Sequence, residues 1–343
     1  ASRDGYNVNG KDRVEQEGYI TDELSQFTLE WLNQRKSEKP FFLYVSHKAA
    51  HADFIPAERH AYRYKDQKLP VHKDWKGNKV IEQGKPLWVQ NQRNSRHGIE
   101  YAYYTHLDME QYYQRYCETL LAVDDSVGEL MHWLDESGES ENTLVLYMGD
   151  NGFLFGEHGL IDKRNAYEES MRIPLMVKFP AVVSKGLKVS SMVANIDIAP
   201  TLLDVAGVRI PEHMDGRSFS PMLKGKNTPW RQYLLYEYFW ERNYPQTPTT
   251  HSLRGDRFKY IRYHGIWDKD ELYDLESDPD ELQNLIREPQ HQSRIKDMNR
   301  VLFDMLELSK GREIPLQRDR GTQFFHRAAG GSPASGFTSD FYQ

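Results

Sequence analysis

The chain has 343 residues, 38% hydrophobic and 28% charged, which suits one large or two ordinary folded domains. Its 13% aromatic content argues against disorder, and no apolar run approaches the ~20 residues needed to cross a bilayer, so no membrane partner is expected. The net charge of −7 is well mixed, without the basic stripe that nucleic acid requires, and the single cysteine, Cys117, leaves no internal disulfide.

In chain order, residues 19–36 predict an amphipathic helix with Thr21 as N-cap and Leu24, Phe27, Trp31 and Leu32 on one face. Phe41–Val45 has the length and apolarity of a buried parallel strand. Residues 52–97 are polar and aperiodic, and a loop of that length inside a folded domain points to function. A long helix is predicted from about Tyr101 to Leu134, then a strand at Thr143–Met148, a short helix at 165–171, and strands at Pro174–Phe179 and Val189–Ala194. Ala199–Val205 reads as a helix closed by Gly207. Alternating helices and strands to about residue 225 predict a layered α/β sheet. Closely spaced β runs follow at Tyr233–Phe239, His251–Arg254, Phe258–Tyr263 and Glu271–Asp274, then a helix near 290–309 and an irregular tail. The division predicted is 1–228, an α/β portion, and 229–343, a smaller antiparallel sheet with a helix and the tail.

Three clusters follow predicted strands, where open α/β sheets place their ligand sites. The first, Ser46-His47-Lys48-Ala49-Ala50-His51, joins an ammonium to two imidazoles that can bind an anion and deliver a proton; its composition also fits a solvated loop. The second, Gly149-Asp150-Asn151-Gly152, offers two hard oxygens that suit Ca²⁺ or Mg²⁺ better than Zn²⁺, or else a plain Asn-Gly turn. The third, Gly156-Glu157-His158-Gly159 with Lys163 and Arg164, combines close backbone approach with positive charge for an oxyanion. Asp124 and Asp125 sit inside the long helix and read as structural hydrogen-bonding groups, and Cys117 reads as packing. Tyr233–Trp240, His251 and Arg254 either pack the small sheet or border a cleft.

Together, KPFFLYVSHKAAHADFIPAERH, YCETLLAVDDSVGELMHWLDESG, NTLVLYMGDNGFLFGEHGLIDKRNAYEESMRIPLMVKFP and NIDIAPTLLDVAG resemble the type I, formylglycine-dependent sulfatases of the alkaline phosphatase superfamily. The segment RGDRFKYIRYHGIWDKDELYDLESDPDELQNL resembles that family's C-terminal subdomain. The resemblance implies an alkaline-phosphatase-like sheet between helices, incomplete at the N-terminus, with a smaller C-terminal antiparallel sheet plus helix. It assigns Asp150 and Asn151 to the metal site, normally Ca²⁺ rather than Mg²⁺, and Lys163 to the sulfate and the leaving oxygen. His51 takes the place of the general acid, Lys48 and His158 stand near the substrate, and His47 shares the loop of Lys48.

The family's Cys/Ser-x-Pro/Ala-x-Arg motif, the source of formylglycine, does not occur in the sequence, and Cys117 followed by Glu-Thr-Leu is not it. That segment is expected upstream of Ala1, so the missing N-terminal portion of the same protein is an expected partner and no turnover is expected of the separate chain. The implied substrate is a sulfated carbohydrate and the implied location is exported: periplasmic, extracellular or lysosomal. Two other readings remain open: phosphodiester or phosphonate ester hydrolysis in the same superfamily, and a non-catalytic anion- or glycan-binding protein.

Overall fold

The computed structural model describes residues 6–9, 12–36, 39–68, 70, 84–93, 95, 97–99, 109–241 and 244–312. In chain order the elements are β1 (Tyr6–Asn9), β2 (Asp12–Glu15), α1 (Ile20–Gln34), α2 (Leu87–Gln92), α3 (Met109–Glu136), β3 (Val145–Met148), α4 (Glu168–Met171) and β4 (Leu175–Lys178). Then come α5 (Ile198–Val205), α6 (Ser220–Leu223), β5 (Tyr233–Tyr238), β6 (Thr249–Gly255), β7 (Phe258–His264), β8 (Glu271–Asp274) and α7 (Gln292–Leu308). Among the described residues no helix is long and apolar enough to cross a membrane.

The chain falls into two compact units, one of Ala1–Pro70, Leu107–Val145 and Lys178–Ala181, the other of Val71–His106, Leu146–Val177 and Val182–Gln343. In the first unit β1 and β2 form an antiparallel hairpin with Tyr6 opposite Glu15. The helices α1 and α3 then pack on each other, but not through the apolar stripe expected of α1. Its buried residues are Thr21, Ser25, Thr28 and Leu32, while Phe27 and Trp31 are exposed. Small hydroxyl residues allow close approach, and the Ser25 hydroxyl donates to Ser126 Oγ at 2.6 Å across the pair. Arg59 clamps the same helices, reaching Asp22 at 2.7 Å and Asp125 at 2.8 Å.

Phe41–Val45 is not a strand. The segment runs without a ladder partner among the described residues, with Phe42 72% and Tyr44 80% exposed. Val189–Ala194 is likewise irregular, and one of its carbonyls is taken by side chains: Met192 O accepts from Trp230 Nε1 at 2.7 Å and from Arg231 at 3.1 Å. Of the long helix predicted from Tyr101, the part before Met109 lies outside the described residues, as does the tail after residue 312.

In the second unit β5–β8 form a four-stranded antiparallel sheet in sequential order. Its two faces differ. Leu253, Tyr260 and Leu272 point to α7 and pack on Met298, Leu302 and Leu306. Their neighbours Ile261 and Tyr273 point the other way, as the two-residue period of a strand requires, and pack with Leu154, Leu160, Ala166 and Tyr167 of the stretch that follows β3. The register Ile261↔Glu271 and Lys259↔Tyr273 puts charged and phenolic side chains on that second face as well.

Leu302 is completely enclosed at the centre of the apolar face. Leu302→Ala is expected to destabilise the protein by about 2–5 kcal/mol through lost burial and the cavity left behind. A urea melt in which the variant's midpoint equals that of the parent would show that α7 is not integral to this core.

Candidate functional site

The predicted site residues divide between the two units. In the first, Lys48 and His51 form one exposed turn, closed by a hydrogen bond from His51 N to Lys48 O at 2.8 Å. His51 Nδ1 lies 2.7 Å from the Ala52 carbonyl. A carbonyl only accepts, so Nδ1 carries the hydrogen and Nε2 is left as the nitrogen that exchanges a proton with a ligand. His47 turns inward instead: its Nε2 meets Ser126 Oγ at 3.1 Å, and burial pushes its pKa below the ordinary value. Asp125 accepts from Arg59 at 2.8 Å and His60 at 2.7 Å, and the His60 bond leads the effects that lower its pKa, consistent with a structural role. Cys117 is half-buried in the same helix, and desolvation raises its pKa, so the thiol stays protonated.

In the second unit Asp150, Asn151, His158 and Lys163 lie on one stretch between β3 and α4. Asp150 is exposed at the strand end, and its carboxylate accepts from Asn151 N at 2.9 Å. The Asn151 amide NH₂ donates to Gly152 O at 2.7 Å, which turns its Oδ1, the remaining ligand atom, to the opposite side. Gly152 is needed for close approach: a Cβ there would lie 2.0 Å from Glu169 O. Its N–H donates to Ser170 O at 2.9 Å.

Lys163 occupies a corner bonded on both sides. Asp162 O accepts from Leu154 N at 2.9 Å, the Asp162 carboxylate accepts from Arg164 N at 3.0 Å, and Lys163 O accepts from the Ser170 hydroxyl. The half-buried Lys163 ammonium itself makes no hydrogen bond or ion pair among the described residues. Arg164, the neighbouring cation, is committed elsewhere, to Asp162 at 2.8 Å and across the Tyr244 ring at 3.5 Å.

His158, expected beside substrate, is fully enclosed in this structure. Its backbone has φ 57°, its ring stacks on Tyr167 at 3.9 Å, and its Nε2 lies 3.3 Å from Glu169 Oε2. His158, Glu169 and Glu281 bring ligand atoms within 4.8 Å of one another, a grouping that no sequence motif announces because Glu281 is more than a hundred residues away. The surroundings do not suit a cation. Lys259 Nζ lies 2.8 Å from Glu281 Oε1 and 2.8 Å from Glu168 Oε1, while Lys85 Nζ donates to Glu281 O at 2.7 Å. Lys85, Lys259 and Glu281 are the groups missed by sequence reasoning. They form, with Tyr167, Tyr273 and Glu271, a buried polar floor beneath the 149–171 stretch. His251 is nearly enclosed, edge-on to His264 at 4.6 Å, and Arg254 reaches Glu168 at 3.2 Å, so both belong to packing around the small sheet.

The sulfatase family model matches residues 2–208, and the model described as N-sulphoglucosamine sulphohydrolase, C-terminal, matches residues 156–307. N-acetylglucosamine-6-O-sulfatase of Bacteroides thetaiotaomicron is 30% identical over 354 residues, which cover 86% of this chain and 62% of that protein. N-acetylglucosamine-6-sulfatase of Bos taurus is 34% identical over 257 residues, covering 72% of this chain and 44% of that protein. The chain therefore spans between two fifths and two thirds of these curated relatives. A solved structure of a protein in complex with its substrate D-glucosamine-2-N,6-O-disulfate superposes with a TM-score of 0.77 at 26% identity, covering 90% of this chain and 74% of that one.

The His158–Glu169 contact generates a pH prediction. Burial alone would raise the Glu169 carboxyl, but the hydrogen bond and charge of His158, a backbone N–H and Lys85 outweigh it and hold it at about 2, against an ordinary 4.5. A lowered acid pKa stabilises the fold above pH 4.5, and that contribution is lost as pH falls towards 2. Glu169→Gln is expected to cost about 1.5–3 kcal/mol at neutral pH and to flatten the acid limb of the stability curve. Urea melts from pH 2 to 7 that show parallel curves for variant and parent would contradict this.

Proposed function

Since the chain belongs to the sulfatase family of the alkaline phosphatase superfamily, we propose that the protein containing it hydrolyses a sulfate ester on an amino sugar, a 6-O-sulfated N-acetylglucosamine unit being the first candidate. The observation that carries this reading is Lys163: a cation whose backbone is bonded on both sides while its ammonium is left without a counter-charge among the described residues. Such an arrangement suits an external anion, and the sulfatase relatives named above supply its identity as a sulfate ester.

Each residue has a separable task. Lys163 would sit against the sulfate oxygens and the bridging oxygen, where charge develops as the S–O bond breaks. His51 would give its Nε2 proton to the departing sugar hydroxyl, a contribution on the order of 10²- to 10⁴-fold. The exposed carboxylate of Asp150 and the amide Oδ1 of Asn151 are hard-oxygen donors of the kind that suits Ca²⁺, and they would hold it. Bound Ca²⁺ supplies positive charge towards the sulfate, and a formylglycine, implied by the family, supplies the attacking oxygen. Lys48, exposed on the turn of His51, would meet the sugar or a second anionic group. His158 supports the stretch from beneath.

The experiment is sulfate release from 6-O-sulfo-N-acetylglucosamine by the longest natural protein that contains this chain, run beside matched phosphate and phosphonate esters. Lys163→Ala should lower kcat/KM by about 10²-fold or more on the sulfate ester. His51→Ala should do so by about 10²-fold on the sugar ester but far less on a nitrophenyl sulfate, whose leaving group needs no proton. Faster turnover of the phosphonate ester by the parent would transfer the same residues to the other chemistry. Removal of Ca²⁺ by chelation should abolish turnover and added Ca²⁺ restore it, while Asp150→Ala should raise the Ca²⁺ concentration needed.

A further inference from the structure

We propose that Ser170 is a positioning residue for this reaction: its hydroxyl fixes the backbone from which Lys163 reaches the anion, independently of the metal-side strand end. The inference rests on the reading of Lys163 as the anion contact. Ser170 lies in the middle of α4, is 3% exposed, and bonds in two directions with two different groups. Its side chain donates to Lys163 O, seven residues earlier, and its main-chain oxygen accepts from Gly152 N at 2.9 Å. The first bond belongs to the Lys163 corner, and the second to the strand end with Asp150 and Asn151.

The turn that carries Ser170 is itself held from both flanks. Glu168 meets Lys259 at 2.8 Å and Arg254 at 3.2 Å, and Glu169 meets His158 at 3.3 Å. On its inner side the Gly152 backbone lies so close that an added Cβ would be 2.0 Å from Glu169 O and 3.1 Å from Arg172 O. The turn is therefore a fixed reference, and the Ser170 hydroxyl ties Lys163 to it. The same two-way bonding makes the proposal separable by mutation. Ser170→Ala removes the hydroxyl tie alone and leaves the Gly152–Ser170 main-chain bond in place, so Lys163 should lose its position while the Ca²⁺ pair keeps its own.

The test uses the longest natural protein, with Ser170→Ala, Lys163→Ala and the double variant assayed on the sulfate ester, with Ca²⁺ affinity and melting temperature measured alongside. Ser170→Ala is expected to lower kcat about tenfold with KM changed less than about threefold, and to leave Ca²⁺ affinity unaltered. On the Lys163→Ala background the same change should cost less than about twofold, because residues acting through one group are not additive. Should Ser170→Ala fail to fold, Ser170→Cys, which is close in size and a weaker donor, enters the same cycle. Equal losses from Ser170→Ala with and without Lys163, or a parallel loss of Ca²⁺ affinity, would overturn the proposal in favour of general packing. A Lys163→Ala variant as active as the parent would instead overturn the reading of Lys163, and this tie with it.

Discussion

The ammonium of Lys259 lies within 2.9 Å of three oxygens, those of Ala166, Glu168 and Glu281, and is completely removed from solvent. A lysine head group has three donors, so its hydrogen-bonding capacity is met by the protein alone. Stripping water from such a charge costs several kcal/mol, which is offset only while all its partners stay in place. Two of those partners, Ala166 and Glu168, follow directly on the Lys163 corner, and the third comes from the segment after β8. Lys85 repeats the device beside it, with Tyr273 OH at 2.9 Å and Glu281 O at 2.7 Å. The antiparallel sheet thus has an apolar face that makes a core with α7 and a charged face that fixes the stretch bearing the candidate site.

That division explains an asymmetry in the site. Glu168, Glu169, Arg164 and His158 all have partners inside the unit. Asp150, Asn151 and Lys163, on the same stretch, keep their reactive atoms unclaimed by other side chains among the described residues. A free carboxylate and a free ammonium on one short stretch would lower the energy by pairing with each other or with neighbours. The backbone ties at Gly152, Asp162 and Ser170 hold the chain while its neighbouring charges are consumed elsewhere.

The sequence made the C-terminal sheet readable because its four runs of β-type residues sit close together, and Glu271–Asp274 forms the strand as expected. Asp150 with Asn151, and Lys163 beside the Gly156–Gly159 run, were visible as two separate clusters after a predicted strand because each is local in the chain. Lys85 and Lys259 were not, since each looks like any surface lysine until partners far along the sequence are brought to it. Phe41–Val45 misled in a different way. Apolarity reports a preference for burial, whereas a strand exists only with a neighbour to bond, and none is described for it. The β1–β2 hairpin went unread because Tyr6–Asn9 and Asp12–Glu15 are short, largely polar runs without a sustained alternation. In α1 the apolar residues proved less decisive than the small ones, because the distance between two helices is set by what fits between them.

The fixed backbone around Lys163 has a thermodynamic consequence for whatever anion it meets. With the main chain already held at residues 162, 163 and 164, capture of a ligand orders little besides the four-carbon stem of one side chain. A lysine that surrenders its rotamers in this way gives up about 1.5–2 kcal/mol of entropy, a small toll compared with folding a mobile loop around the ligand. Association at this corner should therefore show the calorimetric profile of a preorganised receptor, with a modest entropy penalty and little change in heat capacity from chain ordering.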